Sequence, residues 1–271
     1  MKSHPSLTFL STPAALIGMV HIGALPGTPR SRRSIAELAA HAATEARLLK
    51  AAGFDAVLIE NMHDAPYVLA PHSPEIVSAM TAAGVAVRAA IGDAFPLGVQ
   101  ILAGGEREAL AVALACDAAF IRCENFVFSH VADEGLMTQA AAGPLLRYRR
   151  AIGAESVAVL CDLKKKHAAH AITMDLDIAE CARAAEFFGA DGLIVTGTST
   201  GQAADPAELA AARGATELPV LIGSGVTASS ARSLSLAARG LIVGSALKRG
   251  GHWSGPIDSA RCRAIVKARG R

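Results

Sequence analysis

Short apolar runs of strand length alternate with alanine-rich amphipathic stretches of helix length along the whole chain, and the alternation repeats eight times. The runs predict strands at 16–21, 55–60, 97–102, 118–124, 157–163, 192–196, 220–222 and 241–243. The stretches between them predict helices at 34–52, 74–83, 106–115, 143–152, 175–188, 206–212, 228–236 and 257–268. Several open on a cap or a first-turn proline, as at Ser73-Pro74 and Asp205-Pro206. Strands joined by crossover helices make a parallel sheet, and such a sheet needs cover on both faces. Eight units in succession therefore point to an α/β fold, a single (β/α)8 TIM barrel of the phosphate-binding type across residues 1–271, with 1–14 as an irregular N-terminal extension. An open doubly wound sheet is the rival arrangement.

Composition narrows the function classes. Apolar residues make up 52% of the 271, enough for a large core. The formal net charge of +2 is too small for nucleic-acid binding through a broad basic surface. No apolar stretch approaches the roughly 20 residues of a membrane span, so no transmembrane segment is expected. Pro5 and Pro13 interrupt the N-terminus, which lacks the continuous apolar core of a secretory signal. The five cysteines, an odd number without CxxC spacing, argue against a complete disulfide framework, and a reducing cytoplasm is the simplest setting. Alanine-rich outer helices leave a homo-oligomer open.

Two consecutive strands near the C-terminus end in small residues, Gly223-Ser224-Gly225 and Gly244-Ser245. Glycines there let main-chain N–H groups converge on an anion, and the last two strand ends of such a barrel commonly hold a ligand phosphate. Thr196 and Gly197 end the preceding strand and join the proposed cradle, which Thr198, Thr200 and Gly201 can extend and which Lys248 follows closely. The expected ligand is a small phosphorylated molecule.

Strand side chains alternate inward and outward, so parity says which groups meet inside. On that reading Glu60, Gln100, Arg122, Glu124, Asp162, Lys164 and Thr196 gather in the upper interior, with His21 ending the first strand and facing Asp162 across the mouth. Stability alone would favour Val, Ile or Leu there, because buried charges leave water at a cost. The set His21, Glu60, Arg122, Glu124, Asp162 and Lys164 is therefore the candidate catalytic group. A base and an acid facing one another suit enolisation of a sugar phosphate, including an Amadori-type rearrangement. Replacing Asp162 by Asn is expected to abolish turnover while sparing the fold.

The run Lys164-Lys165-Lys166 admits a Schiff-base amine, against a plainer reading in which one lysine points inward to pair with Asp162 or the phosphate and the others are solvated. Metal binding stays open: Glu60, His63 and Asp64 form one group of donors, and Glu124, Asp162, His167 and His170 another, neither at a diagnostic spacing. No organic cofactor is indicated. Two long connections, 22–33 and 125–142, follow strands and are candidate lids on the chemical face, against a plainer reading as insertions of no catalytic consequence.

Several blocks together resemble the BtpA/SgcQ family: Gly18-Met19-Val20-His21-Ile22-Gly23-Ala24-Leu25-Pro26-Gly27, Asn61-Met62-His63-Asp64-Ala65-Pro66, Gly98-Val99-Gln100-Ile101-Leu102-Ala103-Gly104, Arg122-Cys123-Glu124-Asn125-Phe126 and Lys164-Lys165-Lys166-His167. The resemblance covers essentially the whole chain and implies a TIM barrel. It also implies two kinds of role. One is that of a cyanobacterial factor for photosystem I biogenesis, an extrinsic membrane protein; the other lies among sugar-utilisation proteins labelled nucleosidase or phosphoribosylanthranilate isomerase-like. The expected function is an isomerase or lyase acting on a small phosphorylated sugar or nucleotide-like substrate. The alternatives are a non-catalytic assembly factor with peripheral membrane contact and a nucleosidase.

Overall fold

In the computed structural model, described here for residues 4–10 and 13–270, eight parallel strands close into a barrel. They are β1 (Ala15–His21), β2 (Ala56–Glu60), β3 (Leu97–Gln100), β4 (Phe120–Cys123), β5 (Ala158–Leu163), β6 (Gly192–Val195), β7 (Val220–Ile222) and β8 (Gly240–Val243). Each pairs with its sequence neighbours, and β8 closes on β1 with Leu241 opposite Leu16. An open doubly wound sheet is excluded by that closure.

The outer ring is α1 (Ile35–Ala52), α2 (Pro74–Ile91), α3 (Glu106–Ala115), α4 (Ala142–Ala151), α5 (Ile178–Phe187), α6 (Pro206–Ala215), α7 (Ala231–Ala237) and α8 (Ser259–Arg269). Local chemistry sets the ends. Ser34 with Glu37 and Asp177 with Glu180 form capping boxes at α1 and α5, and Gly53 closes α1 in the left-handed region at φ 97°.

The sequence reading stopped α2 at residue 83; the helix runs on to Ile91. Gly84 does not end it, because the missing Cβ is what lets Cys116 Sγ of the α3 terminus approach, 2.9 Å from where a Cβ would stand. At 18 residues and a mean hydropathy of 1.3, α2 is long and apolar enough to cross a membrane, which corrects the expectation that no stretch comes close. Here it is a barrel helix, burying Ala79, Met80, Ala83, Val87 and Ile91. The Arg88 guanidinium, also buried, donates to the carbonyls of Gly92, Phe95 and Asp117.

Inside the barrel, Ile17, Met19, Ala56, Leu58, Phe120, Ala158, Leu160, Ile194, Leu221 and Ile242 form a closed apolar plug. Gly98 faces the Phe120 ring, which occupies the volume that a larger residue on β3 would need. Leu7 enters the same cluster, and Phe9 stacks on Phe120 with ring centroids 5.8 Å apart. Part of the N-terminal segment expected to be irregular is thus a short 3-10 turn, Pro5–Leu7, that seals the lower end; 1–3, 11 and 12 lie outside the described residues. All five cysteines are free and buried.

Above the barrel mouth, His130–Ala132, Gly135–Met137 and Ala168–Ala169 form a small antiparallel sheet, made from the connections after β4 and β5. A third long connection, 61–73, follows β2; sequence reading did not single it out.

Candidate active site

Two residues beyond the apolar plug, the period of the strands brings one residue from every stave to a single layer. The layer contains His21, Glu60, Gln100, Arg122, Asp162, Thr196, Gly223 and Gly244, and its six side chains are all buried. Parity therefore placed most of the expected groups together.

Within the layer the pairing differs from the sequence expectation. Asp162 does not face His21; it takes two bonds from Arg122, Nε and Nη2, at 3.0 Å each. Burial pushes the Asp162 carboxyl up and works against the Arg122 charge, yet the adjoining carboxylate leaves the guanidinium's pKa above its ordinary value. Gly223 makes room for this pair, since a Cβ there would stand 3.2 Å from Arg122 Nη2.

His21 instead faces Glu60, Nε2 to Oε2 at 3.6 Å. Its Nδ1 lies 3.0 Å from the Trp253 carbonyl, an acceptor only, so Nδ1 carries the proton and Nε2 turns a lone pair to the cavity. Burial, helped by the Lys248 charge, drives the His21 pKa down to about 3 and keeps the ring neutral. Burial moves Glu60 the other way, above the usual carboxylate range, with Lys166 and Arg122 opposing.

Lys164 does not join the layer. Its φ of 49° breaks the strand alternation, and the residue lies beside Cys181 on α5. The lysine at the mouth is Lys166, whose pKa is lowered by burial and by Arg122 while Glu60 and Asp162 resist. Lys165 is buried too and pairs with Glu124 at 3.2 Å and Glu134 at 3.6 Å. Glu124 is committed there, its other oxygen accepting from the Gly104 N–H at 3.1 Å.

The small-residue strand ends behave as a cradle. Among the described residues, the main-chain N–H groups of Ser224, Gly225, Val226, Gly244, Ser245 and Ala246 donate to no acceptor in the chain. They border one cavity of about 180 Å³ together with His21, Glu60, Arg122 and Lys166. The Ser224 hydroxyl plays a separate part, accepting from Gly197 N–H at 2.7 Å and donating to the Gln202 carbonyl at 2.8 Å, which ties the loop after β6 to the loop after β7. Gly197 and Gly225 permit that crossing, because a Cβ on either would collide with the main chain at 202–203. Thr200 and Gly201 reach the cavity wall. The buried Thr196 hydroxyl and Gln100 Oε1 have no partner among the described residues.

Lys248 does not serve the cradle. It is buried against Glu45, Nζ to both carboxylate oxygens at 3.0 and 3.2 Å. The cation beside the cradle is Arg261 of α8, whose Nε donates to the Ala246 carbonyl at 2.8 Å. Nor do the proposed metal donors converge. Asp64 accepts from Leu25 N–H and the Asn61 amide, His63 packs at a tilt against Trp253 with ring centroids 4.9 Å apart, and His167 and His170 engage Thr200 and the Lys165 carbonyl. Among the described residues no group of three His, Cys, Asp or Glu side chains is placed to hold a metal ion.

A model of the BtpA family matches residues 12–271. The chain belongs to the BtpA family. A mitochondrial protein of Caenorhabditis elegans, itself uncharacterized, is 47% identical over 93% of this chain and 91% of its own length. The photosystem I biogenesis protein BtpA of Synechocystis is 35% identical over 93% of this chain and 87% of its own. Among solved structures, (S)-3-O-geranylgeranylglyceryl phosphate synthase from Thermoplasma acidophilum superposes with a TM-score of 0.59 at 14% identity, covering 94% of this chain and 92% of that one, a likeness of fold.

In this BtpA-family barrel, sequence reading missed three contributors to the site. Trp253 and Arg261 come from beyond the last strand, where no local pattern marks them as site residues. Lys166 was within reach, since the lysine run names it and only the turn at Lys164 decides which member points inward.

Proposed function

We propose that this barrel is an enzyme that isomerises or cleaves a small phosphorylated sugar or nucleotide-like substrate by acid–base chemistry. One observation carries the reading: six undonated main-chain N–H groups border the same cavity as His21, Glu60 and Lys166. The phosphate would sit on the N–H groups at 224–226 and 244–246, with Arg261 alongside, and the carbon skeleton would lie over the polar layer.

Glu60, made more basic by burial, takes the proton from the carbon next to a carbonyl or imine. Lys166, made more acidic by burial, gives its proton to the oxygen or nitrogen. In an isomerisation Glu60 then delivers that proton to the former carbonyl or imine carbon while Lys166 recovers a proton from the neighbouring hydroxyl, which becomes the new carbonyl. In a cleavage Glu60 instead takes the proton of the hydroxyl on the second carbon from the carbonyl; the C–C bond between breaks, leaving a carbonyl on one fragment and the Lys166-protonated enol on the other. Neutral His21 accepts through Nε2 and shuttles the proton held by Glu60. Arg122 and Asp162 fix the floor of the cavity. The phosphate-handling barrel enzyme of similar fold supports the class of ligand only by analogy.

The test is thermal unfolding with ribose 5-phosphate against ribose. At about 100 times its Kd the ester adds about 2.7 kcal/mol of stability. Ribose should add nothing, and Ser245→Asp, which places a carboxylate among the free N–H groups, should remove the gain. Equal effects of ester and parent sugar would remove the phosphate reading.

A second reading follows the cyanobacterial relative, whose name is that of a photosystem I biogenesis protein. Phe187 and Phe188, 85% and 52% exposed at the end of α5, would then be its docking residues. That reading leaves the polar layer without a role.

A further inference from the structure

A second cavity, about 450 Å³, adjoins the first, and His21 lines both. Its outer wall is the connection after β1, which brings Arg30, Arg32 and Arg33 to one rim, with His41 and His63 beside them. The carboxylate in this wall, Glu45, is already neutralised by Lys248 and accepts from the Ile257 N–H as well. Among the described residues none of the three arginines is in an ion pair. Arg32 spends Nη1 on the Pro29 and Ser31 carbonyls, which holds the turn and leaves Nε and Nη2 without an acceptor among the described residues. The three arginines are exposed at the rim and Glu37 partly offsets Arg33, so the chamber keeps a net positive charge beside a site already fitted for one anion.

From this we infer that the ligand is doubly anionic: one phosphate on the N–H cradle of β7 and β8, and a second phosphate or carboxylate in the arginine chamber, with the reacting carbons between them over His21 and Glu60. This rests on the phosphate reading above and adds the substrate class. A guanidinium fork matches phosphate and carboxylate oxygens in two-point contact, which suits the chamber to a discrete anionic group. The concave shape and the shared wall with the cradle favour a small molecule over an anionic lipid surface.

The experiment measures Kd by calorimetry at low ionic strength for fructose 6-phosphate, fructose 1,6-bisphosphate, ribulose 5-phosphate and ribulose 1,5-bisphosphate. It uses the wild type, an Arg30→Gln/Arg33→Gln double variant and Ser245→Asp. At least one bisphosphate should bind about tenfold or more tighter than its monophosphate, the lower end of what a charge-assisted hydrogen bond contributes. The arginine variant should erase that gain and leave monophosphate affinity unchanged, which also shows that it folds. Ser245→Asp should weaken both ligands. Monophosphate binding without a bisphosphate gain, or a gain untouched by the arginine variant, overturns the inference and spares the cradle. Failure of every ester overturns both. Sedimentation with phosphatidylserine vesicles is the remaining arm: arginine-dependent binding to vesicles without any bisphosphate gain would give the chamber to a lipid headgroup and likewise overturn the inference.

Discussion

His21 and Glu60 face one another from adjacent strands with 3.6 Å between Nε2 and Oε2, too far for a good hydrogen bond and close enough for one proton to be shared when the cavity is filled. The two groups are displaced in opposite senses by the same burial, the histidine toward neutrality and the carboxyl toward protonation. Groups of opposite charge type pushed apart in this way can divide the acid and base roles.

The first prediction concerns acid stability. The folded pKa of His21, about 3, lies below its unfolded value of 6.5, so between those limits the unfolded chain binds a proton that the folded chain refuses. Stability contributed by neutral His21 is complete above pH 6.5 and drains away by about 1.4 kcal/mol per pH unit as the pH falls through that window. His130, down to about 4, adds to the same limb. Glu60 has the opposite sign: its raised pKa costs stability as the pH rises through it. Urea unfolding of His21→Gln from pH 7 to 4 should show a shallower acid limb than the wild type; parallel limbs would show that His21 is not buried neutral.

The second prediction revises the expectation that Asp162→Asn spares the fold. Removing the charge leaves the Arg122 guanidinium buried without its bidentate partner, with Glu60 and Glu124 acting only from further off, and breaking a buried pair of this kind costs about 3–5 kcal/mol. The double replacement Arg122→Met/Asp162→Leu removes both charges and should recover much of that loss while still lacking activity. A lower denaturation midpoint for Asp162→Asn than for the double variant is the expected order.

The barrel was legible because its causes are local and repeated: an apolar run, a cap and a helix, eight times over. Parity also located Glu60, Arg122 and Asp162, since a regular strand propagates its alternation without error. It failed at Lys164, where one residue at positive φ rotated everything after it, and no sequence period encodes that turn. The cation of the cradle failed for a different reason. Lys248 is near in sequence yet turns outward to satisfy buried Glu45, 203 residues away, and Arg261 replaces it from the next helix. Such choices are set by which charge is left unpaired after folding, a tertiary fact.

Lys166 supplies the third prediction. Its depressed pKa gives it more neutral amine near pH 8 than the exposed lysines have, so amine reagents should modify it early. Brief treatment with trinitrobenzenesulfonate followed by peptide mass spectrometry should find Lys166 labelled ahead of Lys267. Ribose 5-phosphate should protect it, and Lys166→Met should abolish turnover of the substrate once identified. Equal labelling of the two lysines, with no protection, would take Lys166 out of the cavity chemistry.

The fourth prediction separates the two parts played by Ser224. Its N–H donates to no acceptor among the described residues and the residue lines the cavity, whereas its hydroxyl is spent on Gly197 and Gln202, so Ser224→Ala keeps the main-chain donor and cuts the tie between the loops. Leaving the Gly197 N–H and the Gln202 carbonyl without that bridge should cost about 1–3 kcal/mol. The loss should be local, because the strands beneath do not depend on the tie. Amide exchange at 197–203 should therefore accelerate while the β1 and β5 amides stay protected, and phosphate-ester affinity should fall through a looser cradle. If the exchange of Gly197 is unchanged in the variant, the hydroxyl does not bind the loops, and Ser224 returns to being a direct phosphate ligand.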